Sequence, residues 1–192
     1  DRDARISGSF DVGIDPTQLV FDRFDPSMIS GAPVPSGGDY KFAVGIDHGS
    51  QPGTQIAVLT AIDMQDAQKP RIFVLGEYIA GAASPEHHCR GILEMLKRHQ
   101  IDPALCTWTG DGAHYSGRGK TGFKMSNGLL MRAFENILQL PPRGLPFTIR
   151  TALKFKNSVY YSASMIYSIM ARKDFYVRPE CNRLITSLQR WT

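Results

Sequence analysis

Lys41-Phe42-Ala43-Val44-Gly45-Ile46-Asp47-His48-Gly49 is the stretch on which the reading of this chain turns. An apolar run ends in an acid and a glycine, and a second β-rich run, Gln55-Ile56-Ala57-Val58-Leu59-Thr60-Ala61-Ile62, follows almost at once. A carboxylate at the end of a buried strand is costly to desolvate unless a cation or hydrogen-bond donors compensate it. Asp111 repeats the pattern, closing the short run Ala104-Leu105-Cys106-Thr107-Trp108-Thr109-Gly110. If the two strands are neighbours, Asp47 and Asp111 converge on one edge of a sheet and could share divalent cations. Taken singly, each also reads as a turn-forming Asp that bonds the backbone following it.

Working outward, three strands are expected in series at 41–47, 55–63 and 71–80, joined by turns at 49–53 and 64–70. Connections that short favour an antiparallel meander. Ser84-Pro85-Glu86 then supplies an N-cap with proline in the first turn, and Cys89, Ile92, Leu93, Met95 and Leu96 make an apolar stripe as far as Arg98. Because the strand ending at Asp111 follows this helix, the strand–helix–strand order predicts a crossover to a parallel neighbour. Further along, the pattern predicts a helix over 126–138 stopped by Pro141-Pro142, a short strand over 146–151 and a helix over about 157–171. A strand at 175–177 and a last helix from near Pro179 complete it. Tyr160, Tyr161, Met165, Ile166, Tyr167, Ile169 and Met170 recur at helical spacing and are expected in the core. Residues 1–40, rich in Gly, Pro, Ser and Asp, read as a linker or arm with at most a short strand at 18–21.

The 192 residues, 42% hydrophobic and 21% charged, are enough for one domain with a full core plus that arm. A net charge of +4 and a pI near 9.0 are modest and point toward a polyanionic partner. Cys89, Cys106 and Cys181 are odd in number, far apart and without CxxC spacing, which favours a reducing compartment over a disulfide framework or a zinc site. Neither a long apolar run nor a signal peptide is visible, so a soluble intracellular protein without membrane contact is expected. His48, His87, His88, His99 and His114 lack metal-ligand spacing and are expected at the surface. Glu77, in mid-strand, is expected on a polar face or near the site, with a structural role favoured.

Gly117-Arg118-Gly119-Lys120-Thr121 imitates the end of a phosphate-binding loop, but the pattern requires a glycine where this chain has His114. A glycine-rich loop carrying Arg118, Lys120 and Lys124 beside an acid suits an element that follows a DNA backbone; a solvated loop is the alternative. Lys154 and Lys156, flanking Phe155 ahead of a helix, could likewise reach phosphates or simply face water.

The element order matches the ribonuclease H-like architecture: an α/β fold whose mixed central sheet joins a three-strand antiparallel meander to parallel strands, flanked by helices. Phe42-Ala43-Val44-Gly45-Ile46-Asp47-His48-Gly49, Val74-Leu75-Gly76-Glu77-Tyr78 and Thr109-Gly110-Asp111-Gly112 resemble the C-terminal nuclease domain of tailed-bacteriophage terminase large subunits. So do Lys154 and Lys156 before a helix, Lys173-Asp174-Phe175-Tyr176-Val177 and Cys181-Asn182-Arg183-Leu184-Ile185-Thr186-Ser187-Leu188. Arg2-Asp3-Ala4-Arg5-Ile6-Ser7-Gly8 is similar to the segment that leads there from the packaging motor. The motifs are short, and their order and spacing over nearly the whole chain carry the resemblance.

The resemblance implies a Mg²⁺- or Mn²⁺-dependent endonuclease that cuts concatemeric double-stranded viral DNA by two-metal-ion hydrolysis, at the start and end of genome packaging. Hard divalent cations prefer carboxylate oxygens, and by resemblance Asp47 bridges two ions while Asp111 holds one. By the same resemblance 1–40 is expected to lead from an ATPase motor domain and 41–192 to be the nuclease domain; the family's third acid falls beyond Thr192, so that domain is expected to be cut before its last acidic motif and weakly active or inactive alone. A start at Asp1 without Met fits an excised piece. Implied partners are double-stranded DNA, the terminase small subunit, the portal and an ATPase domain of the same full-length chain. The implied location is the cytoplasm of the infected host and not the mature virion. Two other classes stay open: a resolvase- or transposase-type nuclease on the same fold, and a non-catalytic DNA-binding module.

Overall fold

In the computed structural model, which describes residues 21–32, 34–49, 54–110, 125–153 and 158–190, the opening stretch forms strand β1, Tyr40–Asp47. β2, Gln55–Asp63, runs antiparallel to it with Val44 opposite Leu59 and Asp47 opposite Ile56; β3, Arg71–Ala80, continues the meander with Val58 opposite Glu77. Helix α1, Pro85–Arg98, then carries the chain across to β4, Cys106–Gly110, which lies parallel to β1 on its other side. Helix α2, Asn127–Ile137, leads to β5, Ile149–Thr151, and helix α3, Ser158–Ala171, leads to β6, Phe175–Val177. Helix α4, Asn182–Arg190, comes last. The six strands stand in the order β5-β4-β1-β2-β3-β6, so the antiparallel meander is flanked by parallel strands on both edges.

Alternation along the strands separates two cores, since successive side chains point to opposite faces. Val44 and Ile46, with Ala57, Leu59 and Ala61, pack under α1 and α2 with Trp108, Leu130, Phe134 and Phe147. Trp108 stacks on Phe147 at 4.3 Å and meets Phe134 edge-on, while its indole N–H donates to Pro103 O at 2.9 Å, so the largest core residue has no unmet polar atom. The opposite face carries Val58 and Ile72 and is covered by Met28, Ile169, Met170, Leu184 and Leu188. Phe21 and Phe24, ahead of β1, are buried in this second core, and Ser30 N–H donates to Val177 O at 2.9 Å.

Several expectations shift for local reasons. β4 begins at Cys106 because Pro103–Leu105 winds a 3₁₀ turn whose first free N–H, that of Ala104, is taken by the Asp102 carboxylate at 2.8 Å. The last helix begins at Asn182, not near Pro179, since a turn closed by Cys181 N–H to Arg178 O at 3.0 Å comes first. In α3, Ile169 and Met170 are buried as expected, but Tyr160, Tyr161 and Met165 are 74%, 62% and 52% exposed. Apolar residues lie all around that helix, so periodicity could not show which face meets the sheet. His88 is fully buried and its Nδ1 lies 3.0 Å from Tyr78 Oη, contrary to the surface expectation; His87 is exposed.

Candidate functional site

The parallel pairing of β1 and β4 sets Phe42 beside Cys106, Val44 beside Trp108 and Ile46 beside Gly110. Side chains of Val44, Ile46, Cys106 and Trp108 enter the core under α1 and α2, so the residues between them belong to the other face. That face carries exposed Gly45, half-buried Thr109 and, at the top of β1, exposed Asp47. Gly45 has no side chain, which leaves the sheet open below Asp47. Asp111 follows Gly110 in the chain and lies outside the described residues, as do Arg118, Lys120, Lys124, Lys154 and Lys156.

Two charged residues share this face with Asp47. Arg150, exposed on β5, is the register partner of Thr109, which in turn pairs with Gly45, so a guanidinium stands two strands from β1 on the same side. Sequence reading passed over it because a lone arginine in a three-residue strand carries no motif. Glu77 stands in the row of Gly45 on the other flank, through Val58. Strand spacings of about 4.8 Å and 3.3 Å per residue place its backbone on the order of 12 Å from that of Asp47. Both of its carboxylate oxygens are engaged: Arg183 N–H and Leu184 N–H, the first turn of α4, donate to them at 2.9 Å each. Glu77 is therefore the cap of α4, as its structural reading foresaw.

On the reverse side of the same strand end, His48 Nδ1 lies 3.0 Å from Gln55 Oε1, and its Nε2 lies 2.8 Å from the Asn127 side-chain oxygen. Gln55, fully buried, donates from Nε2 to Asp47 O and Ile56 O. Nothing in the spacing of these residues announced the cluster; a polar residue at the buried end of a strand was the one sign.

Among the described residues no group of three or more His, Cys, Asp or Glu could hold a metal ion, and no helix is long and apolar enough to cross a membrane. Asp47 offers hard carboxylate oxygen in an exposed position, which suits Mg²⁺ or Mn²⁺ and not a soft metal. The thiols cannot contribute: all three cysteines are free and buried.

Similarity to solved structures agrees with this topology. The nuclease domain of the P22 large terminase matches over 90% of this chain and 78% of that one, with a TM-score of 0.59 at 14% identity. The chain has the fold of the phage large-terminase nuclease domains. The large terminase of a thermophilic bacteriophage, solved in complex with ADP, matches over 89% of this chain at a TM-score of 0.53 and 13% identity. This chain covers 36% of it, so it corresponds to about a third of that longer protein. The nuclease domain of the bacteriophage SPP1 large terminase, solved with bound Mn, has a TM-score of 0.48 at 14% identity, over 78% of this chain and 67% of that one. No protein-family model and no curated protein matches the chain.

Proposed function

We propose that this chain is the metal-dependent endonuclease domain of a viral DNA-packaging terminase and cuts concatemeric double-stranded DNA by two-metal-ion hydrolysis. The observation that carries the reading is the register of β1 against β4: Ile46 pairs with Gly110, and each is followed in sequence by an aspartate. The terminase-nuclease fold supports it from a second direction.

In this reading Asp47 and Asp111 hold divalent cations beside the adjacent C-terminal ends of β1 and β4, in the middle of the sheet. Bound there, the ions supply Lewis acidity toward the attacking water and the leaving oxygen of an in-line displacement. The chain's own part would be to hold the Asp47 carboxylate at the end of β1, with Asp111 following in sequence on the paired strand β4, and to present the scissile phosphate to them. Arg150 stands where a cation can hold a neighbouring phosphate, and Arg118, Lys120, Lys124, Lys154 and Lys156 would extend the track along the backbone. Phosphate contacts of this kind give position and affinity without reading bases. In the full-length protein an ATPase domain, the small subunit and the portal would be partners, in the cytoplasm of the infected host.

The test is nicking of supercoiled plasmid by the full-length gene product in Mn²⁺. Cleavage that EDTA stops and Asp47→Asn abolishes, with the variant's Tm unchanged, is the expected result. Cleavage by a folded Asp47→Asn variant at the wild-type rate contradicts the reading.

A further inference from the structure

We propose that Gln55, His48 and Asn127 form a positioning network that fixes Asp47 for divalent-cation binding by tying the end of β1 to the first turn of α2. The proposal rests on the nuclease reading above and adds to it residues outside the carboxylate pair.

The bonds run in one chain. Gln55 is 0% exposed, and its two amide protons are committed to backbone carbonyls, Asp47 O at 3.1 Å and Ile56 O at 3.2 Å. Its Oε1 is therefore the atom that faces His48 Nδ1 at 3.0 Å, and Nδ1 carries the proton. The other ring nitrogen meets the Asn127 carboxamide at 2.8 Å; either orientation of that amide completes the bond, according to whether Nε2 is protonated. One end of this chain grips the peptide carbonyl of Asp47 itself. The other end is the first residue of α2, next to Ser126, whose side chain caps the helix by accepting Leu129 N–H at 3.2 Å.

Gly110 makes the reach possible. A Cβ built there would lie 2.1 Å from the Asn127 side-chain oxygen and 2.9 Å from its carboxamide carbon, so any larger residue would displace Asn127 from its place over the end of β4. The network joins the end of β1 to the start of β2 and to the first residue of α2, whose side chain also lies against Gly110 at the end of β4. Holding the Asp47 peptide plane from the core side sets the direction of its carboxylate on the opposite face, and groups that orient a metal ligand in this way are commonly worth 10- to 100-fold in metal affinity or activity, as an order of magnitude.

The experiment is a calorimetric Mn²⁺ titration of the 192-residue chain, with Tm measured in parallel, on wild type, Asn127→Ala and Gly110→Ala. Both variants should weaken Mn²⁺ binding by about tenfold or more while remaining folded. A purely structural role for Asn127 would lower Tm and leave the Mn²⁺ affinity alone, and that result overturns the proposal. So does a loss confined to Gly110→Ala, which would assign the effect to the strand end instead. If Gly110→Ala does not fold, Asn127→Ala decides. Absence of Mn²⁺ binding in the wild-type chain is a different outcome: it leaves no bound cation for the network to position and removes this proposal, while plasmid nicking by the full-length gene product decides the nuclease reading separately.

Discussion

Ile46 of β1 and Gly110 of β4 are partners in the parallel register, and an aspartate follows each of them in the chain. That pairing sets side by side the two strand ends that lead into sequence signals 64 residues apart, by 111 − 47. Metal binding and cleavage, as proposed above, depend on it.

Glu77 should prove important for stability and not for cation binding. Its two oxygens accept from Arg183 and Leu184 N–H at 2.9 Å each, so Glu77→Ala leaves the start of α4 uncapped. A lost cap costs about 1 kcal/mol, which in a chain of this size lowers Tm by about 2 to 4 °C. Glu77→Gln retains one acceptor and should lose less. Thermal unfolding followed by circular dichroism checks this, and an unchanged Tm in Glu77→Ala would contradict the cap.

Acid should weaken the fold through Asp63. This carboxylate is 2% exposed; the Gln65 N–H at 3.0 Å and the Arg71 guanidinium, whose Nε lies 3.1 Å away, hold it below the ordinary carboxylate range. A depressed folded value means that its contribution is complete at neutral pH and is lost as pH falls below about 4, toward that value. Asp63→Asn should therefore show a flatter decline of stability between about pH 5 and pH 2. Equal acid slopes in urea titrations of the two proteins would contradict the assignment.

The three thiols should be silent in the folded protein. Burial pushes Cys106 up to about 11 and Cys181 up to about 12, and raises Cys89 further still. With so little thiolate available, a disulfide reagent at about pH 8 should titrate no cysteine natively and all three in denaturant. Rapid native labelling of any of them would contradict the buried placement.

DNA binding should be strongly salt-dependent and indifferent to sequence. Replacing Lys120 and Lys124 together by Ala should shallow the slope of log affinity against log salt by about 1 to 2, and Arg150→Ala by about 1. Fluorescence anisotropy on two unrelated duplexes measures both. A slope that none of these changes moves would take the loop and β5 out of the DNA path.

How much of this was legible depended on whether the signal was local. β2, β3, α1 and β6 stand at their expected residues because alternation, the Ser84-Pro85 start and the turn residues are all written within a few positions. The tyrosines of α3 misled because a helix with apolar residues all round does not say which side is covered. Asp47 was conspicuous as an acid closing an apolar run. Glu77 as a helix cap and Asn127 as the partner of His48 were not, since their partners lie 106 and 79 residues away and only the sheet brings them together. Arg150 became a site candidate only once its register partner was known to be Thr109.

The most direct test of the shared site is a double-mutant cycle in Mn²⁺ affinity on Asp47→Asn, Asp111→Asn and the double variant, with folding confirmed by Tm. Two ligands of one site do not act additively, so each single change should weaken binding by about tenfold or more and the double by little beyond the worse single. Additive losses, or a folded single variant that binds Mn²⁺ as tightly as wild type, would contradict the claim that Asp47 and Asp111 hold the same ions.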